Sequence, residues 1–239
     1  MRSRIAVCAI AALALATAAS GDGPLAHWRF DKLDNGIISD LTGNGHDATL
    51  SLAKGEPQSV AGPAGPAMAF TADQCAAFTV AKSADFNFAG PFTVMAWVKP
   101  AARNGTYELF CFKGDKSGDP PWPGWRIRYF WTMLGFEYGT PDGKEVRLTA
   151  EPGACEPGFW SHVAAVYDTK IVRLYVDGAQ VAEGPATGAM APQLASRQAV
   201  LCNYVGRKDA YPLDGAIGDI KVFSSALSAE DVYRAAVGG

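Results

Sequence analysis

Short stretches in which apolar and polar residues alternate, separated by Gly, Pro, Asn and Asp, recur along almost the whole chain. A period of two puts successive side chains on opposite faces of an extended backbone, so the pattern predicts a succession of short antiparallel strands. Strands are expected over 26–30, 47–52, 67–71, 76–80, 92–99, 107–113, 125–130, 134–138 and 145–150, and again over 160–168, 171–176, 180–183, 200–205 and 216–223. The Pro- and Gly-rich run 62–66 reads as a loop between two of them. Only 228–237 has helical character. Ser228 can cap the Asp231 amide, Glu230 and Asp231 suit the positive end, and Gly238 stops the run.

The sharpest local signal is Asp177-Gly178, set between two alternating runs. This pair suits a two-residue hairpin turn with positive φ at both central positions. Nothing in the chain reads as an interdomain linker or an internal repeat. The expectation is one all-β domain, a sandwich of two antiparallel sheets with a short C-terminal helix, over residues 22–239.

Residues 1–20 have a different pattern. Arg2 and Arg4 precede an apolar run that closes on Ala16-Thr17-Ala18, the layout of a secretory signal peptide and too short for a membrane span. The expected location is therefore secreted, extracellular or periplasmic. Cleavage would remove both arginines and leave 19 basic against 24 acidic residues, a balance that argues against nucleic acid and anionic membrane as partners. Four cysteines would remain, Cys75, Cys111, Cys155 and Cys202. An even count in an exported chain suggests two disulfides, and the sequence leaves three pairings open.

Four ordered segments carry a resemblance to a known family. Trp28-Arg29-Phe30-Asp31 with the stretch from Asp40 to Leu50 is similar to the opening of laminin-G-like domains of the concanavalin A-like lectin/glucanase superfamily. The strand from Phe92 to Pro100, the run from Trp160 to Asp168 leading into Leu174–Gly178, and the close from Val205 to Ser228 follow in the family's order. The resemblance implies a jelly roll of two stacked antiparallel sheets with its terminal strands side by side. It also implies a structural Ca2+ where the opening loop meets the last strand. Side-chain oxygens of Asp40 and Asp219 and backbone carbonyls of Asn44 and His46 are the expected ligands, although Gly218 replaces one carboxylate of the family's pair.

Aromatic residues crowd the stretch from Trp122 to Tyr138. Flat rings suit the apolar faces of sugars, and nearby charged groups suit hydroxyls or acids. The candidate ligand-binding residues are Trp122, Trp125, Arg126, Arg128, Asp115, Asn203 and Arg207. Trp122 stands out because it lies in a Pro- and Gly-rich loop. One parity of the 125–130 strand must face the core, and the sequence leaves open which one.

Catalytic chemistry finds little footing. His27, His46 and His162 are scattered, no Gly-x-Ser-x-Gly elbow is present, and Glu108, Glu137, Glu145, Glu151, Glu156 and Glu183 form no row along one strand as in glucanases of this architecture. The expected function is a non-catalytic, exported, calcium-stabilised domain that binds a glycan or polysaccharide. The alternatives are an extracellular protein–protein adhesion module and a polysaccharide lyase or glycoside hydrolase of the same fold.

Overall fold

The computed structural model describes residues 23–102, 105–114, 122–194, 196–204 and 210–238. The leader expected at 1–20 and the candidates Asp115 and Arg207 lie outside the described residues.

Among the described residues, sixteen strands and one α-helix make two antiparallel sheets of eight strands each. In chain order the strands are β1 (Ala26–Arg29), β2 (Ile37–Ile38), β3 (Ala48–Ser51), β4 (Gln58–Gly62), β5 (Gly65–Phe70), β6 (Ala77–Val80), β7 (Phe92–Pro100) and β8 (Thr106–Lys113). They continue with β9 (Gly124–Phe130), β10 (Met133–Gly139), β11 (Glu145–Thr149), β12 (Ser161–Tyr167), β13 (Ile171–Val176), β14 (Ala179–Pro185), β15 (Val200–Leu201) and β16 (Gly215–Phe223). Helix α1 (Ala229–Val237) follows. The first sheet runs β14-β13-β12-β7-β16-β5-β4, with β1 also paired to β16, so the terminal strands are neighbours. The second runs β11-β10-β9-β8-β15-β6-β3-β2.

This is the expected jelly-roll sandwich. Alternation decides what fills it. Phe92, Val94, Val163, Ala165, Leu174 and Val222 of the first sheet meet Phe78, Phe110, Phe112, Trp125, Ile127 and Phe136 of the second in one buried cluster. The Asp177-Gly178 turn has φ of 50° and 80°, as the hairpin demands. Ser228 caps α1, its hydroxyl accepting from the Asp231 amide at 3.1 Å.

Three expectations need correction. The stretch 62–66 is the tip of a hairpin, with β4 and β5 paired from Gln58↔Ala69 to Gly62↔Gly65. β4 has its side chains mostly exposed, so it lacks the apolar alternation that marks a half-buried strand. The strand expected over 200–205 ends at Leu201, because Cys202 adopts a left-handed conformation at φ 67°. The four cysteines are free thiols. Cys111 sits on the outer face of β8, Cys202 lies in the inter-sheet core, Cys155 packs behind the β9–β10 turn, and Cys75 bonds weakly back to the Ala72 carbonyl, so the chain distributes them among separate environments.

The two outer faces differ in kind. On the first sheet Met95, Ala164, Val166 and Tyr175 are covered by Leu227 and Val232 at the start of α1. On the second sheet the corresponding face is charged.

Candidate binding face on the second sheet

The outer face of β8–β11 is laid out by register. Cys111, Arg126, Glu137 and Arg147 form one row across the four strands. Glu108, Arg128, Gly135 and Thr149 form the row on one side, and Lys113, Gly124, Gly139 and Glu145 the row on the other. A bulge between Glu108 and Phe110 brings this about. It lets Leu109 and Phe110 both pack inward, so that Glu108 and Lys113, of opposite parity in sequence, share the outer face. The glycines clear space: a Cβ at Gly139 would collide with the Trp122 carbonyl, and one at Gly135 would press on the Phe130 ring at 2.6 Å.

The charges interlock. Arg126 reaches Glu108 at 2.9 Å through Nη1, and Glu137 through Nε at 2.8 Å and Nη2 at 2.5 Å. Glu137 also accepts from Arg128, and Arg147 Nε lies 2.7 Å from it. Lys113 pairs with Glu145 at 3.1 Å. Glu108 and Glu137 are fully buried, and Arg126 and Arg128 nearly so. Burial alone would raise the Glu137 pKa, yet the Glu145 side chain and the Arg126 and Arg128 guanidinia hold it down at about 2. At Glu108 burial wins over Arg126 and Arg128, and the pKa is pushed up to about 7. Burial also lowers the Lys113 pKa against the pull of Glu145.

Aromatic rings border this lattice. Lys113 Nζ stands 4.4 Å from the Trp122 ring centroid, and the Arg128 guanidinium lies 4.6 Å from that of Phe130. Tyr204 and Tyr211 meet edge to face at 5.8 Å, with Arg126 lying 5.6 Å from Tyr204. The Glu108 amide donates to the Tyr211 carbonyl at 3.1 Å, which fixes that tyrosine beside the Glu108–Arg128 row.

Of the residues singled out by sequence, Trp122, Arg126 and Arg128 come together here. Trp125 does not. It is fully buried in the inter-sheet core, its indole donating to the Phe86 carbonyl at 2.9 Å, because the parity that turns Arg126 and Arg128 outward turns Trp125 inward. Asn203 is also fully buried, its amide donating to the Ala76 carbonyl at 3.1 Å and its oxygen accepting from the Tyr204 amide at 2.7 Å, which makes it a loop brace. Sequence reasoning missed Glu108, Lys113, Glu137, Glu145, Arg147, Tyr204 and Tyr211 as members of one face. The signal that could have exposed them was the lateral pairing of β8 to β11, since no single strand carries the set.

The expected calcium ligands do not fit a cation. Asp40 Oδ1 accepts from the His27 and Thr42 amides, and Oδ2 from the His46 amide and ring. The Asn44 carbonyl takes the Lys82 ammonium at 2.6 Å, and the His46 carbonyl takes the Trp28 indole at 2.7 Å. Asp219 is held by His27 at 2.7 Å and Lys221 at 2.8 Å. Every oxygen group that the resemblance implied as a ligand already has a donor, and among the described residues no cluster of three or more His, Cys, Asp or Glu is arranged to hold a metal.

A two-sheet jelly roll with a polar outer face places the protein among the lectin-like β-sandwiches. Residues 73–233 match the laminin-G model described as concanavalin A-like lectin/glucanases superfamily, and the chain belongs to that family. No curated protein sequence matches the chain. Among solved structures it is similar to the binding domain of Paraclostridial Mosquitocidal Protein 1, at TM-score 0.68 and 16% identity over 90% of this chain and 52% of that one. It is also similar to domain 4 of AbnA, a GH43 extracellular arabinanase from Geobacillus stearothermophilus solved with arabinotriose. That match has a TM-score of 0.64 and 22% identity, over 88% of this chain and 97% of that one. A third is the ligand-binding domain of botulinum neurotoxin serotype D solved with N-acetylneuraminic acid, at TM-score 0.61 and 13% identity over 90% and 50%. The chain thus spans about half the length of these toxin domains.

Proposed function

We propose that the protein is an exported, non-catalytic glycan-binding domain and that the outer face of β8–β11 is its binding face. The observation that carries this reading is the lattice of hydrogen-bonding side chains bordered by Trp122, Phe130 and Tyr211. Sugars are recognised by that combination: ring faces stack on aromatics while hydroxyls exchange hydrogen bonds with planar polar groups. The similarity to sandwich domains solved with arabinotriose and with N-acetylneuraminic acid supports a saccharide as the class of ligand. Export rests on the character of residues 1–20. The adhesion alternative would favour an exposed apolar patch, whereas this face is charged.

Affinity electrophoresis through gels of plant cell-wall and algal polysaccharides, with a glycan array, tests the reading. Retention by at least one saccharide is expected, and Trp122→Ala should lower it with the melting temperature unchanged. Absence of retention across the whole panel overturns the glycan function.

A further inference from the structure

Among the described residues the lattice holds more positive than negative charge. Lys113, Arg126, Arg128 and Arg147 face Glu108, Glu137 and Glu145, and burial holds Glu108 partly protonated near neutral pH. The chain as a whole has formal charge −3, so this local excess runs against the balance of the molecule. Three buried atoms within it lack a hydrogen-bond partner among the described residues, Arg128 Nε, Glu108 Oε2 and Glu145 Oε1, the last lying 3.1 Å from Lys113 Nζ. Arg128 is 8% exposed and donates to Glu137, while the half-exposed Arg147 stands on the far side of the same carboxylate. A buried guanidinium N–H without an acceptor is costly, and its planar fork matches a carboxylate better than a lone hydroxyl.

Resting on the glycan reading above, we propose that the face selects a uronate-bearing saccharide, whose carboxylate is taken by Arg128 with Arg147 beside it. The sugar ring lies against Tyr211, the more exposed of the tyrosine pair, while the fully buried Glu108 stays behind Arg126 as part of the lattice. Glu137 is then the internal anion that keeps three guanidinia aligned. A peptide carboxylate would leave the aromatic border unused, which is why the ligand is a saccharide.

Calorimetric titration tests this with trigalacturonate, its methyl ester, trimannuronate, neutral galactotriose and a poly-glutamate control. An acidic trisaccharide should bind, and esterification should weaken binding at least tenfold. Arg128→Gln and Arg147→Gln should each weaken it to a similar degree. Arg147 is half exposed, so Arg147→Gln decides the matter if Arg128→Gln fails to fold. Equal binding of acid and ester, unchanged affinity in a folded Arg147→Gln, or poly-glutamate binding as tight as the trisaccharide overturns the proposal. Neutral saccharides bound in preference to acidic ones overturn it while leaving the glycan reading standing, whereas retention of no saccharide at all removes both.

Discussion

The two sheets solve the same problem in opposite ways on their outer faces. A sandwich needs only its inner faces to be apolar, so each outer face is free to be used or covered. The first sheet carries Met95, Ala164, Val166 and Tyr175 outward and hides them under Leu227 and Val232. Thr93 secures that cover, its hydroxyl donating to the Ser225 carbonyl at 2.8 Å and accepting from the Leu227 amide at 3.0 Å. The second sheet buries charges, whose desolvation is offset only by close pairing. An apolar face is completed by the chain's own helix. A charged face with unpartnered atoms is more expensive to maintain for the fold alone, and that cost is the physical basis of the ligand proposed for it.

The largest effect that sharpens this contrast is expected at Glu137. Glu137→Gln removes the anion shared by Arg126, Arg128 and Arg147 and leaves the buried Arg128 without a carboxylate partner, which should cost about 3–5 kcal/mol. Urea denaturation measures it. A loss below about 1 kcal/mol, the value of an exposed ion pair, would mean that water reaches the lattice and that the two faces differ less than their packing suggests.

Next comes Glu108. Its pKa is about 7 in the folded protein against an ordinary 4.5, so the folded state binds the proton more tightly than the unfolded chain. Its contribution to stability is complete below about pH 4.5 and is lost as pH rises through about 7, with a slope of up to ~1.4 kcal/mol per pH unit. Glu108→Gln should flatten the stability profile across that window, gaining on the wild type as pH rises. Parallel profiles for the two proteins would show that Glu108 ionises freely.

How much of this was legible in the sequence follows from what each signal depends on. Strands with one buried face announced themselves by alternation, and β13 begins and ends where Ile171–Val176 predicts. The Asp177-Gly178 turn and the Ser228 cap are local chemistry, so they too were readable. β4 was not, because its side chains are mostly exposed and carry no periodic imprint. The charged face was only half visible. Arg126 and Arg128 lie on one strand, but Glu108, Glu137 and Glu145 come from three others, and the bulge after Glu108 reverses the parity of β8 in a way that residue types do not declare. Trp125 was misplaced for the converse reason: alternation gives two faces without saying which is inside, and only the opposite sheet decides.

The covered face yields a smaller effect. Val232 is fully buried between α1 and the first sheet, and Val232→Ala should destabilise by about 2 kcal/mol through lost burial and the cavity left behind. Thermal melting checks the size, and saccharide retention should be unchanged, since the second sheet is untouched. If retention fell with a folded protein, the two faces would be coupled and the division of labour between them would fail.

The smallest expected effect is none at all, and it probes whether the first sheet's edge is as self-sufficient as its helix-covered centre. Asp219 on β16 and Asp40 in the opening loop are the oxygens a calcium ion would need, yet each is satisfied by protein donors, and the Lys82 ammonium sits on the Asn44 carbonyl. Nζ is so placed that a Cβ on Gly45 would stand 2.8 Å from it, so the side chain fills the mouth of the loop. A ligand that binds only the folded state raises the melting temperature. Millimolar Ca2+ added to EDTA-treated protein should therefore leave it unmoved. The informative partner is Lys82→Ala, which frees the Asn44 carbonyl. A Ca2+-dependent rise in that variant alone would show that the ammonium stands in a cation's place, whereas a rise in the wild type would show that the Asp40 network opens to admit the metal.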